Sequence, residues 1–287
     1  MESRITLSNG HSVWTNLVGS GPGLPLLLLH GGPGAGHDYL EPLAALGSER
    51  PLVFYDQLGC GKSDIPKNPA LWTIERFADE VQEVRDKLGI ERCHLLGQSW
   101  GGWLGLEYLL REPPDLASVV LASTSASIPE FSLECERLIG ELPEVHRIAL
   151  KNYGEGGEFK HPDYIAAEEV FYQRHLCRLR EWPDCLMRTL ENLHHTPVYD
   201  AINGPNEFTT IGNLRYWDRT AELKKISTPT LITCGRHDEL GPRCAQTLHA
   251  GIKGSSLQVF EESAHVAHIE EAEKYLEHLS IFLKAHD

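Results

Sequence analysis

The segment HLLGQSWGGWLGLEYLL, residues 94–110, holds one serine between two regular elements. Residues 94–96 form a short apolar run that predicts a buried strand, and after Ser99 the apolar residues recur at helical spacing. Residues 97–101, GQSWG, match the pattern G-x-S-x-G, which at a strand–helix junction indicates a sharp turn that exposes the serine hydroxyl. The backbone N–H of Trp100 then lies at the helix N-terminus, where it can donate to a developing oxyanion. Ser99 is the candidate nucleophile; the alternative is a glycine-rich connection with a capping serine.

Strand-like runs alternate with amphipathic stretches on both sides of this segment. Residues 1–20 predict two short strands in a hairpin with its turn at 8–10. A helix is expected over 74–88, capped by Thr73 and Gly89, and the helix after Ser99 should end before the pair Pro113-Pro114. Six further strands are predicted, at 24–29, 51–56, 93–97, 118–123, 229–235 and 255–260. This alternation indicates an α/β fold with a mostly parallel, eight-stranded sheet covered on both faces.

The alternation is interrupted between residues 128 and 193, where the sequence has helical stretches separated by proline and glycine and no strand-like run. A block of helices inserted so late in the chain predicts a cap over the sheet. We therefore expect a core domain formed by residues 1–124 and 216–287, and a helical cap domain formed by residues 125–215.

A serine nucleophile needs a base, and the base needs an orienting carboxylate. In this architecture the acid and then the histidine follow the serine in chain order, each just beyond a strand. Asp238 follows the strand predicted at 229–235, and His265 is the first histidine after the last strand. Asp218 and His268 are weaker candidates, because no strand precedes Asp218 and His268 lies three residues beyond His265.

The segment HGGPG, residues 30–34, follows the first buried strand. Glycines at this position let a backbone N–H approach a substrate carbonyl, so Gly32 is the candidate second oxyanion donor. The alternative is a simple glycine–proline turn.

Charge and composition exclude several classes of protein. The net charge is −15, from 26 Lys and Arg against 41 Asp and Glu, so a partner that needs a basic surface, such as nucleic acid or an anionic membrane, is not expected. The longest apolar run, LPLLLL at 24–29, is too short to cross a bilayer, and the polar N-terminus does not resemble a signal peptide. Seven scattered cysteines favour a reduced, cytoplasmic protein without a zinc site, and Cys60 is interpreted as structural.

These residues resemble the α/β-hydrolase fold and, within it, the proline iminopeptidase family of serine aminopeptidases. The resemblance rests on HGGPG (30–34), FYDQLGCGKS (54–63), GQSWGG (97–102), NGPNEF (203–208) and GRHDE (235–239), which occur in the expected order along nearly the whole chain. Many family members carry arginine where Leu58 stands and glycine where Gln98 stands. Both differences bear on specificity.

The resemblance implies that Glu207 and Glu239 bind the free α-ammonium group of a substrate. It also implies hydrolysis of an N-terminal proline, or another small apolar residue, from a short peptide or an amino-acid amide, without a metal or cofactor. The protein is expected to be a monomer or a small homo-oligomer. The cap aromatics Phe131, Tyr164, Phe171 and Tyr172 either line the pocket of that first residue or serve in packing.

Two other functions remain open. A carboxylesterase or amidase of the same fold would use the same triad and would have no use for the two glutamates. A ligand-binding protein with this fold would have no turnover at all.

Overall fold

A computed structural model of the protein describes residues 1–113 and 115–287. Its centre is an eight-stranded sheet with the strand order β1-β2-β4-β3-β5-β6-β7-β8. The pairs β1·β2 and β2·β4 are antiparallel, and all the other neighbours are parallel. The predicted mostly parallel sheet and the N-terminal hairpin are thereby confirmed. The strands are β1 Glu2–Thr6, β2 Ser12–Val18, β3 Leu26–Leu29, β4 Leu52–Asp56, β5 Cys93–Gln98, β6 Leu116–Ala122, β7 Thr230–Gly235 and β8 Ser256–Phe260.

Helices cover both faces of the sheet because its central strands are apolar on both faces. In β3, Leu26 and Leu28 belong to one hydrophobic cluster, while Leu27 and Leu29 belong to the cluster on the opposite face. All four side chains are buried, which explains the unbroken leucine run. Outside the helical insertion described below, the helices are α1 Ile74–Leu88, α2 Trp100–Leu109, α8 Gly241–Gly251, α9 Ala267–Glu270 and α10 Ala272–Lys284. Three 3₁₀ segments lie at Asp38–Ser48, Pro69–Leu71 and Thr220–Lys225.

The predicted limits of α1 are confirmed. The side chain of Thr73 accepts a hydrogen bond from the backbone N–H of Arg76, and Gly89 ends the helix with a φ of +66°, a conformation that glycine adopts readily. Helix α2 ends at Leu109, before the expected Pro113-Pro114 break. Pro114 itself lies outside the described residues.

The chain leaves the sheet after β6 and returns at β7, and the segment between them is helical. It contains α3 Ile128–Gly140, α4 Glu144–Glu155, α5 Pro162–His175, α6 Asp184–His195 and α7 Val198–Ile202. The sequence predicts helical stretches at 131–142, 162–179 and 183–193, which correspond to α3, α5 and α6. The sequence did not predict α4, which buries only Ala149 and Leu150 and so lacks a strong apolar stripe, or α7, which is five residues long. The expected cap boundaries, residues 125 and 215, fall in loops outside α3–α7, and the division into two domains stays a prediction.

Within the described part of the chain, no helix is both long enough and apolar enough to cross a membrane. The seven cysteines are free thiols, and all except Cys185 are buried. The Cys60 sulfur lies 3.4 Å from His30 Nε2 and 3.2 Å from the Gln57 carbonyl oxygen, inside the folded loop after β4.

Candidate active site

Ser99 lies at the turn between β5 and α2 in a conformation that side-chain-bearing residues rarely adopt, with φ +58° and ψ −124°. The flanking glycines make this turn possible. A Cβ atom on Gly97 would lie 2.1 Å from the carbonyl oxygen of Gly101, and one on Gly101 would lie 2.0 Å from that of Leu29. The G-x-S-x-G pattern is therefore a steric requirement of the close contact between the turn, α2 and β3.

Asp238 and His265 meet beyond the ends of β7 and β8. Nδ1 of His265 lies 2.8 Å from Oδ1 of Asp238, which also accepts the backbone N–H of Leu240 at 3.0 Å. Both side chains are buried. Burial lowers the pKa of His265, but the charges of Asp238 and Glu239 raise it by more, and the pKa lies at about 9.

The two rival residues lie in different surroundings. Nε2 of His268 donates to the backbone carbonyl of Tyr39 at 3.0 Å, and burial lowers the pKa of this imidazole to about 4. Asp218 is exposed, and its carboxylate accepts the Ser127 hydroxyl and the backbone N–H of Thr220. Neither residue lines the cavity that contains Ser99.

In the loop of residues 30–34, the backbone N–H groups of Gly31 and Gly32 differ in their hydrogen bonding. The N–H of Gly31 donates to the Tyr39 hydroxyl at 2.8 Å. The N–H groups of Gly32 and Trp100 have no acceptor among the described residues. Gly32 has a φ of +104° and lines the same cavity as Ser99. The donors without partners are thus the two that the sequence predicts for an oxyanion.

A buried hydrogen-bond chain, which the sequence did not predict, joins three segments of the site through Gln98. Its side-chain Oε1 accepts the Tyr39 hydroxyl, and its Nε2 donates to the backbone carbonyl of His265 at 3.1 Å. Since Tyr39 also accepts the N–H of Gly31, hydrogen bonds connect the 30–34 loop, the Ser99 turn and the His265 loop. The signal in the sequence is a long polar residue at the variable position directly before Ser99.

Two adjoining cavities lead to Ser99. The inner cavity, of about 50 Å³, is lined by Ser99, His265, Gly32 and Glu207 together with Tyr39, Gln98 and apolar side chains. The outer cavity, of about 710 Å³, lies between α5, α6, α7 and residues 205–207. The two share the lining residues Leu176, Leu190, Leu193 and Glu207. A substrate can therefore reach Ser99 through the helical insertion.

Glu207 lines both cavities, whereas Glu239 lies beside His265 and is not among the residues that line either cavity. Glu207, in the loop after α7, accepts the Tyr199 hydroxyl at 2.8 Å. Glu239 follows Asp238 directly, is fully buried, and has no hydrogen-bond partner for either carboxylate oxygen among the described residues. Its Oε1 lies 3.8 Å from Nε2 of His265. Burial and the charge of Glu207 raise the pKa of Glu239 well above its usual range, and burial also raises the pKa of Glu207.

Comparisons with known proteins assign the family. Residues 25–272 match the family described as alpha/beta hydrolase fold. The chain is 44% identical to the proline iminopeptidase of Saccharolobus solfataricus over 260 residues, which are 90% of this chain and 84% of that protein. It is 36% identical over 284 residues to the proline iminopeptidase of Heyndrickxia coagulans, with 99% of each chain covered. The crystal structure of the Mycobacterium smegmatis proline iminopeptidase superposes with a TM-score of 0.94 at 35% identity, covering 100% of this chain and 98% of that one.

The chain belongs to the proline iminopeptidase family of α/β hydrolases. The expected family and fold are thereby confirmed.

Leu58 occupies a position where the resemblance leads one to expect arginine. Leu58 is buried in the core, and its backbone N–H donates to Oε1 of Glu80 at 3.0 Å. The carboxylate of Glu80 is paired with Arg76, one turn earlier on α1. The cation next to the buried Glu80 is therefore supplied by α1.

Of the four cap aromatics, only Tyr172 lines a cavity that leads to Ser99. Phe131, Tyr164 and Phe171 are buried in the hydrophobic cluster, so they serve in packing.

One group of side chains in the described residues has metal-compatible spacing: His37, Asp38 and Glu41. Nδ1 of His37 is 2.7 Å from Asp56, while Asp38 and Glu41 both bind Arg188, so each is already paired within the protein. None of the three lines a cavity next to Ser99.

Proposed function

We propose that this protein is a serine aminopeptidase that removes an N-terminal proline, or another small apolar residue, from short peptides or amino-acid amides through an acyl-enzyme. The observation that carries the proposal is Glu239, a fully buried carboxylate whose two oxygens have no hydrogen-bond partner among the described residues. Burial raises the pKa of this carboxyl, and a cation bound between it and Glu207 would stabilise its ionised form.

A substrate ammonium group is the cation that suits this position. It would lie between Glu239 and Glu207 and receive charge-assisted hydrogen bonds from both carboxylates. Tyr199 fixes Glu207 for this contact through its hydroxyl group. A blocked amine would leave Glu239 buried and unpaired, so the two glutamates explain a requirement for a free N-terminus.

Catalysis would follow the serine-hydrolase sequence. Ser99 attacks the carbonyl carbon of the first residue while Nε2 of His265 takes its proton, and Asp238 stabilises the resulting imidazolium. The N–H groups of Gly32 and Trp100 receive the oxyanion. The tetrahedral intermediate collapses, and His265 protonates the departing amine. A water molecule, deprotonated by the same imidazole, then releases the free amino acid from Ser99.

The sizes of the two cavities support an exopeptidase acting on a compact first residue. The inner cavity of about 50 Å³ favours a small apolar residue, and its lining includes Leu176, Leu190 and Leu193. The outer cavity of about 710 Å³ has room for the remainder of a short peptide. We propose such a peptide or amide as the protein's partner, without nucleic acid or membrane.

The test compares L-proline p-nitroanilide with its N-acetyl derivative. The free amine should be the better substrate by roughly 100-fold or more in kcat/KM, since hydrogen bonds to charged groups contribute about 1.5–3 kcal/mol each and an acetylated nitrogen forms neither of the two. Ser99→Ala should lose both activities. Glu207→Gln should lower kcat/KM for the free amine and leave slow hydrolysis of the acetylated compound unchanged.

Two results would contradict the proposal. Equal rates on the free and acetylated anilides would indicate an esterase or amidase without an amine requirement. Failure of a fluorophosphonate to label Ser99, with no turnover of either anilide, would indicate a ligand-binding protein.

A further inference from the structure

Helix α6 of the insertion packs against the loop that contains Gly32. Three glycines of residues 31–36 come so close to this helix and its C-cap residue, Thr196, that a side chain on any of them would crowd against it. A Cβ atom would lie 3.2 Å from Leu193 Cδ2 on Gly32, 2.6 Å from Thr196 Cγ2 on Gly34, and 2.7 Å from Asn192 Nδ2 on Gly36. The absence of side chains therefore lets the backbone of the loop lie directly on the end of α6.

The two ends of this loop are bound to residues outside the insertion. The N–H of Gly31 donates to the Tyr39 hydroxyl at 2.8 Å, and the N–H of His37 donates to Oδ1 of Asp56 at 2.8 Å. These two bonds fix where the loop begins and where it ends. They leave the direction of the peptide groups between Gly31 and His37 to other contacts.

Asn192 of α6 binds the loop between these two ends. Its Nδ2 donates to the carbonyl oxygen of Ala35 at 3.0 Å and to Oδ2 of Asp38 at 2.9 Å. The N–H of Ala35 in turn donates to the carbonyl oxygen of Gly31 at 3.2 Å, which closes a turn around Gly32. The side chain of Asn192 thus holds the turn in which the N–H of Gly32 has no acceptor among the described residues.

We propose that Asn192 is a positioning residue, through which helix α6 fixes the turn that presents the N–H of Gly32 to the oxyanion. This inference rests on the proposed function, because it takes Gly32 as an oxyanion donor. Asn192 lines neither the inner nor the outer cavity, so it acts through the loop and does not touch the substrate. The helical insertion then has a part in catalysis besides enclosing the cavities.

The physical reason is that an oxyanion donor works by being in place before the charge develops. Without the Asn192 amide, the Ala35 carbonyl loses this donor, and the glycine-rich turn can enter other backbone conformations at little cost. The N–H of Gly32 would then point at the oxyanion for only part of the time. Substrate binding in the ground state does not depend on that direction, so the loss should fall on the transition state.

The experiment measures kcat and KM of Asn192→Ala and Asn192→Asp on proline p-nitroanilide and on p-nitrophenyl acetate. Asn192→Asp keeps the volume of the side chain and removes its donor. In both variants kcat should fall about tenfold or more on both substrates, because a misplaced catalytic group can cost roughly 100-fold in rate. KM for the anilide should change little, since Asn192 does not line the cavities.

Two inhibitors separate the oxyanion from the rest of the site. Pyrrolidine-2-boronic acid forms a tetrahedral adduct with Ser99 that places an oxygen at the oxyanion position, and its inhibition constant should rise by the same factor as kcat falls. Pyrrolidinium has the ring and the charge without that oxygen, so its inhibition constant should stay unchanged. Equal weakening of the two inhibitors would overturn the proposal, because Asn192 would then act on binding in the ground state.

Arg188→Ala is the matched control on the same helix. The Arg188 side chain is about half exposed and pairs with Asp38 and Glu41, so its removal weakens the docking of α6 and leaves the bond to Ala35 in place. Its kcat should match that of the unmodified protein, since exposed ion pairs contribute little. An unchanged kcat in the Asn192 variants, or an equal loss in Arg188→Ala, would overturn the proposal. Either result would leave the proposed function standing, because the comparison of free and acetylated anilides decides it separately.

Discussion

Gln98 donates a hydrogen bond from its side-chain amide to the backbone carbonyl of His265 over 3.1 Å, and so connects the residue before Ser99 to the histidine loop. We expect Gln98→Ala to lower kcat about tenfold or more, because it removes this support and leaves the Tyr39 hydroxyl without its acceptor. Unsatisfied buried groups of this kind cost about 1–3 kcal/mol, so the free energy of unfolding should fall by a similar amount.

The experiment measures kcat and KM of Gln98→Ala on proline p-nitroanilide and, separately, its unfolding in urea. The substitution leaves in place Glu207 and Glu239, the two glutamates proposed to bind the amine, so KM should change little. An unchanged kcat in a folded Gln98→Ala variant would show that the hydrogen-bond chain supports the fold alone.

Tyr199 offers a test of the amine site that leaves the triad intact. Its hydroxyl donates to Oε1 of Glu207 at 2.8 Å, and a hydrogen bond to a charged group contributes about 1.5–3 kcal/mol. Tyr199→Phe should therefore raise KM for proline p-nitroanilide roughly tenfold with a smaller effect on kcat. Tyr153→Phe, on α4, is the control, since the Tyr153 hydroxyl makes only an exposed 3.5 Å contact with Asp163. Equal KM values in the two variants would argue against Glu207 as a ligand of the amine.

The sequence predicted the parts of the molecule that depend on local patterns. The leucine run of β3 and the glycines around Ser99 follow from burial and steric contact, and both kinds of constraint can be read from neighbouring residues. The contacts of Gln98 with Tyr39 and His265 span 59 and 167 residues along the chain, and no periodicity or spacing encodes them. The same holds for Glu239, since its position next to Asp238 is visible in the sequence and its lack of a partner is visible only in the fold.

The backbone of Ser99 gives a prediction about stability. Serine at φ +58° and ψ −124° is strained, at a cost of order 1–3 kcal/mol, whereas glycine enters this region readily. Ser99→Gly should therefore unfold at higher urea concentration than Ser99→Ala, although both variants lack the Ser99 hydroxyl. Chemical denaturation of the pair measures the difference directly. A less stable glycine variant would mean that the turn is not strained in solution.

The buried His268 predicts how stability depends on pH. Its pKa is about 4 in the folded protein and near 6.5 in an unfolded chain. Below pH 6.5 the imidazole of His268 is therefore protonated in the unfolded chain and stays neutral in the folded protein. The free energy of unfolding then falls as the pH drops toward 4, by up to about 3 kcal/mol. His268→Gln should flatten this dependence in urea unfolding curves recorded between pH 4 and 7, while the exposed His195→Gln should not. If the free energy of unfolding changed with pH in the same way in the unmodified protein and in His268→Gln, His268 would not be the source of the pH dependence.

The ion pair of Arg50 with Asp287 should contribute far more to stability than an exposed pair of similar geometry. The guanidinium of Arg50 is fully buried and binds Asp287 at 2.8 Å, whereas Arg236 and Glu261 form a two-fold contact with about half of each side chain exposed. Removing the partner of a buried charge leaves that charge unpaired, while an exposed arginine is simply hydrated.

We therefore expect Asp287→Ala to lower the free energy of unfolding by about 2–4 kcal/mol, and Glu261→Ala by less than about 1 kcal/mol. Asp287 is itself partly exposed, which places its effect toward the lower end of that range. Urea unfolding at low and high salt separates the two cases, because salt screens the exposed pair and barely reaches the buried one. Losses of equal size in the two variants would mean that water reaches Arg50 once the carboxylate is gone.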